Sequence, residues 1–375
     1  MRKKRMALAL ALLPLLGLTG CKETFDFLPY ARELEDMALI RTMGVDAGGS
    51  GGVVVTVSSG EQSKGSGQGD SGAVVLQKEA GTISGACLSM QGEGVSYVFY
   101  GHVGQLLLGE ELARQGVEMP LDYVLRDIEM RLETNVYLLK DAEAGEAIAA
   151  AAEGGSATKR LEAMEKDAGL LSHSMARTVE DALEDLEENQ CTFLPALTLA
   201  GEEMTASGYG LIRDGKLAGW AQGEDAKGVN LLLGEVDADI LEVDDPVLGR
   251  VALRIVEAET KVEPVFQDGS FTGLTIRCRV EANLAEGGGE AAGLGHDEER
   301  ERLEQALEER SAERLRGALS LSQSLAGDFF QLKNRAERSA PWHRRAIEVG
   351  WDLSALDLEV QVEGALRRGY DLRSE

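Results

Sequence analysis

The sequence predicts an α+β chain of more than one domain, with mixed and antiparallel sheets and packed helices. Three observations carry this. Residues 249–286, "GRVALRIVEAETKVEPVF" and then "FTGLTIRCRVEANLAE", alternate apolar and polar side chains, the period of strands with one buried face. Residues 296–335, "HDEERERLEQALEERSAERLRGALSLSQSLAGDFFQLKNR", place Leu303, Leu307, Leu315 and Leu319 on one helical stripe, so the C-terminal domain reads as a long helix on an antiparallel sheet. The length predicts two or three domains, and an apolar share of 43% suffices to give each a packed core.

The elements follow in chain order. "MRKKR" is a basic start, and "MALALALLPLLGL" (6–18) is an apolar run shorter than the roughly 20 residues that a span requires. Together they read as a signal peptide over 1–20. Leu18, Thr19, Gly20 and Cys21 match the bacterial lipobox, in which small residues admit the chain to the peptidase and the cysteine thiol receives diacylglycerol. Two fatty chains of the palmitate kind on Cys21 anchor a protein stably, where one would be marginal. The bilayer is therefore an expected partner, through diacylglyceryl-Cys21, and no later stretch approaches the apolar length of a span. Residues 21–30 are a membrane tether, and at about 3.3–3.6 Å per residue the linker 22–30 reaches at most ~30 Å.

Residues 31–199 read as an N-terminal α+β domain. "ARELEDMALIRTMGVD" (31–46) spaces Leu34, Met37, Ala38 and Ile40 as a helix does, with Gly44 as a stop. "GGVVVTVSS" (51–59) is a strand, "GEQSKGSGQGDSG" (60–72) a loop, and "AVVLQKEA" (73–80) a second strand. A strand-like "QLLLG" precedes a helix from Glu110. Pro120 suits the first turn of another helix, which carries Leu121, Val124, Leu125 and Ile128. "NVYLL" turns toward a strand, residues 142–190 read as two or more charged helices, and 193–199 as a turn and a short strand. Residues 204–248 read as a small middle domain: a hairpin around "RDGK", a short helix at "DAKGVNLLLGEV" and a strand. Residues 249–375 complete the chain as the helix-on-sheet domain, with a second hairpin signal at "QDGS", a helix around "PWHRRAIEVGW" and a closing strand.

Charge narrows the function. The whole chain carries −27, and loss of the four basic residues among the first twenty leaves −31. Such a surface repels phosphate backbones, so no nucleic-acid partner is expected. Cys87, Cys191 and Cys278 are far apart with no CxxC spacing, which indicates neither a zinc site nor a disulfide framework, although one pair could still form. "GDSG" (69–72) matches a protease nucleophile segment, yet His102, His173, His296 and His343 all follow Ser71, against the order such a triad needs. "GGSGG" (48–52) lacks the strand-to-helix setting of a nucleophile elbow. With no HExxH, P-loop or dinucleotide fingerprint, neither catalysis nor a cofactor nor a metal site is expected. "YVLRDIEMRLETNVYLL" (123–139) concentrates Arg126, Asp127, Glu129 and Arg131. In a helix Arg126 meets Glu129 and Asp127 meets Arg131, a self-satisfied pairing that reads as a structural joint and not as catalytic groups.

The order of segments resembles the C subunit of bacterial spore germinant receptors, the Ger(x)C or GerAC-like lipoproteins. The carrying residues are "LTGC", "RELEDMALIRTMGVD", "YGHVGQLLLGEELARQG", "LDYVLRDIEMRLETNVYLLKD", "GYGLIRDGKLAGW", "NLLLGEV", "VALRIVEAETKVEPV" and "LEVQVEGALRRGY". They run in family order over nearly the whole chain after Cys21. One departure is "KETFDFLPYA", which stands where the family places its Arg-Glu-Leu segment close behind the cysteine. The resemblance implies three α+β domains and a non-enzymatic lipoprotein of the spore inner membrane's outer face. It also implies assembly with integral-membrane A and B subunits for nutrient-triggered germination. The alternative reading is a solute-binding lipoprotein that feeds a transporter, which would need two α/β lobes around a ligand cleft.

Overall fold

The computed structural model describes residues 37–60, 73–92, 97–153, 157–166, 174–201, 203–236, 238–287 and 297–367. Its first part runs β1 (Met37–Leu39), β2 (Thr42–Ala47), β3 (Val53–Ser58), β4 (Val75–Ala80), α1 (Ile83–Met90), β5 (Tyr97–Phe99) and β6 (Gln105–Leu108). It continues with α2 (Glu110–Gln115), α3 (Glu118–Arg126), β7 (Asn135–Lys140), α4 (Ala144–Glu153), α5 (Ala157–Lys166), α6 (Val179–Asn189) and β8 (Cys191–Ala200). The hairpin of β9 (Glu203–Arg213) and β10 (Lys216–Ala221) follows, with Asp214 and Gly215 at its turn, both at positive φ. Strands β2 to β4 and β6 to β10 form one sheet of order β10-β9-β8-β7-β6-β2-β3-β4, while β1 and β5 pair separately.

The centre of this sheet is parallel, β2 with β6, β6 with β7 and β7 with β8, and antiparallel hairpins flank it. Parallel strands need helical crossovers, which bury both faces and give continuous apolar runs. "QLLL" and "NVYLLK" are such runs. Leu106, Leu108, Val136 and Leu138 face a core shared with α1, α2, α3 and α6, and Leu107, Tyr137 and Leu139 face a second core under α4 and α5.

Two expectations for this half need correction. No helix covers the described part of 31–46, which forms β1 and β2; residues 31–36 lie outside the described residues. The strand state wins because β2 is paired on both edges, and Gly44 stops no helix. Gly44 keeps the sheet surface low under α4, where a Cβ would stand 2.8 Å from Ile148 Cδ1. At 193–199 the short strand is part of the ten-residue β8. Pro195 is absorbed at a register shift against β9, a bulge that tolerates the missing N–H.

The second part runs α7 (Glu224–Leu233), β11 (Asp239–Asp245), β12 (Gly249–Gln267), β13 (Ser270–Gly287), α8 (Asp297–Ser324), α9 (Leu332–Ser339), α10 (Arg344–Gly350) and β14 (Asp357–Leu366). Its sheet has the order β11-β12-β13-β14. The expected antiparallel sheet is mixed, because β14 pairs parallel to β13. Helix α8 supplies the length that a parallel crossover demands, and it packs on β14 and α7. It ends at Ser324, short of the 296–335 expected. Gly327 N closes back on Ser322 O (3.0 Å) and Ala326 turns left-handed, after which Phe329 and Phe330 enter the core.

Segment 204–248 is shared between the two sheets: β9 and β10 extend the first, and β11 is an edge of the second. One core cluster joins them, with Phe193 and Tyr209 from the first sheet packed among Leu253, Ile276, Leu315 and Phe330.

Candidate functional site

The charged segment after α3 is built differently from its helical reading. Helix α3 stops at Arg126, and Asp127 is extended (φ −76, ψ 128). The cause is local: Asp127 Oδ1 accepts from Glu129 N (2.9 Å), a side-chain turn that competes with the helix. Arg126 therefore does not pair with Glu129, nor Asp127 with Arg131. Arg126 Nε instead donates to both Asp122 oxygens (2.7 and 2.8 Å), an exposed i,i+4 pair. Glu129 accepts from Tyr97 O–H (3.2 Å) and Tyr100 N (2.9 Å), which ties the loop to β5. Arg131 is exposed, and among the described residues only its backbone carbonyl is engaged, by Thr134 N. The cluster is two separate local locks.

The buried charges lie elsewhere. Asp46, at the end of β2, accepts from Ala144 N (2.7 Å) and Gly145 N (2.8 Å) at the start of α4. Burial pushes its carboxyl upward, against the two backbone bonds. Asp328 accepts from Leu332 N (2.7 Å) and Lys333 N (2.9 Å) and so satisfies the first turn of α9. Burial raises its carboxyl to about 6, with neighbouring Asp185 adding to the rise and Lys333 opposing it. Arg314 on α8 is 4% exposed and bridges Glu224 on α7 (2.6 Å) to Asp239 on β11 (2.5 Å). These joints connect residues up to 99 apart in the chain, so acid-rich composition hid them. Only Asp328, an acid shortly before a helix start, left a signal of a kind that could be read.

The groups considered for chemistry are otherwise occupied. Cys87, Cys191 and Cys278 are free and buried. Burial raises all three thiols, Cys191 and Cys278 to about 11, which disfavours the reactive thiolate. Residues 48–52 form the turn between antiparallel β2 and β3, where Gly48 N donates to Gly52 O (2.8 Å); no helix follows it. His102 lies edge-on to Phe99 and His343 tilts against Phe266. Among the described residues no three His, Cys, Asp or Glu side chains are grouped to hold a metal, and no helix is long and apolar enough to cross a membrane. Leu18, Thr19, Gly20 and Cys21 lie outside the described residues, as do Ser71, His173 and His296.

Fold and joints define an α+β protein whose buried charges fasten sheets and helices to each other. Two family models match it in tandem: the spore germination protein N-terminal domain over residues 30–199, and the spore germination B3/GerAC-like C-terminal domain over 207–369. The crystal structure of the GerBC protein superposes with a TM-score of 0.59, covering 87% of this chain and 97% of that one at 14% identity, a likeness of fold. Comparison with curated proteins gave no match. The chain belongs to the GerAC-like family of spore germination proteins, the C-subunit family of germinant receptors.

Proposed function

We propose that this chain is the lipid-anchored, non-catalytic subunit of a nutrient germinant receptor, held on the outer face of the spore inner membrane. There it assembles with the receptor's integral-membrane A and B subunits. The observation that carries the reading is the tandem match of both family domains over 30–199 and 207–369, directly behind the lipobox that ends at Cys21. Cys21 takes diacylglycerol, and the linker 22–30 keeps the folded part within ~30 Å of the bilayer. Tethering raises the effective concentration at membrane partners, so contacts of modest affinity suffice. The buried, protonated thiols and the helix-capping carboxylates suit a scaffold.

The test is affinity isolation of the full chain from detergent-solubilised spore inner membranes, with mass spectrometry of what accompanies it. Two polytopic partners are expected with the native protein. In the Cys21→Ala strain the protein should leave the membrane fraction, the partners should be lost and germination should fall. A normal nutrient response in that strain, at normal protein level, sinks the anchoring mechanism. Recovery of a transporter alone points instead to the solute-binding reading.

A further inference from the structure

Helices α3 and α6 pack against one another and leave between them a groove of about 520 Å³ that the buried joints described above do not use. Both helices face it with the same spacing. Helix α3 presents Glu118, Leu121, Asp122 and Leu125, and α6 presents Glu180, Leu183, Glu184 and Glu187, each set at i, i+3, i+4 and i+7. The floor is leucine throughout, with Leu132 and Leu186 completing it. Leu121 is fully buried, Leu183 and Leu186 are half-buried, and Leu125 is 53% exposed. Just beyond the end of α3, Ile128 stands 100% exposed.

The rim is acidic. Of its five acids only Asp122 has an ion partner, Arg126; Glu118, Glu180, Glu184 and Glu187 make no ion pair among the described residues. Glu180 and Glu184 are i,i+4 and Glu184 and Glu187 are i,i+3, spacings at which like charges repel. Helix α6 carries no basic residue of its own to relieve them.

We propose that this groove docks a cationic amphipathic helix of a partner protein. A trough between two helices accepts the ridge of a third, and apolar residues at i, i+3 or i+4, and i+7 of the incoming helix would meet the leucine floor. Lysine or arginine on its flanks would pair with the four unpartnered glutamates. A second copy of this chain fits poorly, since each copy carries −27 and would bring acid to acid. The proposal deepens the receptor-subunit reading and rests on it for the setting of the partner.

The experiment places a photo-crosslinking phenylalanine at Leu183, and separately at the more exposed Leu125, in the full chain in spores. Exposed Leu88 on α1 serves as control position. Crosslinked peptides are sequenced by mass spectrometry. A partner peptide with a helical apolar stripe and flanking Lys or Arg is expected from both groove positions and not from Leu88. In a Glu180→Lys, Glu184→Lys, Glu187→Lys variant its yield should fall at least about fivefold, with a smaller fall when the same residues become Gln. The Gln variant carries the test if the Lys variant fails to fold.

No crosslink from the groove overturns the proposal, as does an acidic or non-periodic peptide, a peptide of this chain itself, or a yield indifferent to the charge changes. Two outcomes separate the two readings. Co-isolation of the membrane subunits without a groove crosslink removes the groove and leaves the receptor reading. The expected basic peptide arising from a soluble protein keeps the groove and removes the receptor setting.

Discussion

Asp328 shows how one side chain links folding to pH. Its carboxyl is raised above the usual value to about 6 by burial, so between about pH 4 and 6 the folded chain binds more protons than the unfolded one. Its contribution is therefore fully present below the unfolded value and is lost as the pH rises through about 6. Measured by urea unfolding, the native protein should gain about 1 kcal/mol relative to Asp328→Asn on going from pH 7 to pH 5. A pH-independent difference would show that the carboxyl is not displaced. At the charged segment, Glu129→Ala removes an acceptor shared by Tyr97 O–H and Tyr100 N and should cost about 1–2 kcal/mol. Arg131→Ala should stay within about 0.5 kcal/mol, because the exposed side chain holds no ion partner among the described residues. Equal effects at the two positions would restore the paired cluster that helical spacing suggested.

At the scale of elements, the contact between α7 and α8 is set by a missing side chain. A Cβ on Gly228 would lie 2.1 Å from Arg314 O and 2.7 Å from Arg314 C, which are backbone atoms that no rotamer can move aside. Alanine would gain about 1 kcal/mol of helix propensity but force the helices apart. The overlap dominates, and Gly228→Ala should destabilise by about 2–3 kcal/mol in chemical unfolding. A stabilised variant would mean that the helices do not touch there. The same approach places Arg314 where it can bridge α7 and β11, so spreading the helices also weakens a buried ion pair, whose breakage is costly. The helix α3 was legible up to Arg126 because Pro120 and the apolar stripe announce it. Its end was not, because Asp-Ile-Glu reads as well in a helix as in the side-chain turn that the packing of Tyr97 and Tyr100 selects.

The whole molecule is held together by the core that crosses between its sheets. Phe193 of β8 meets Tyr209 edge-on, with ring centroids 5.3 Å apart, and lies 5.8 Å from Phe330 beyond α8. Gln331 Nε2 adds a bond to Cys191 O (3.1 Å), and Arg335 reaches the carbonyls of Leu232 and Thr260. Phe330→Ala should cost about 3–5 kcal/mol. Native-state hydrogen exchange should then lose protection in β8 and β9 as well as in β12 and β13. Loss confined to β12 and β13 would show that the sheets open independently.

Local pattern was enough for much of this protein. Period-two alternation drew β12 and β13, Asp-Gly drew the turns at 214–215 and 268–269, and the leucine stripe drew most of α8, because each signal lies within a few residues of its cause. The order of family segments is likewise a property of the chain read in line. Tertiary structure alone decided the rest. It turned residues 42–47 from helix to strand by pairing β2 on both edges, set Met37–Leu39 beside β5, and joined the first sheet to the second through Phe193 and Phe330. It also chose a few buried carboxylates out of an abundance of acids. Those outcomes depend on partners far away in the chain, as Phe193 and Phe330 are, and hydrogen bonding and exclusion of water act on what is near in space, whatever its distance along the sequence.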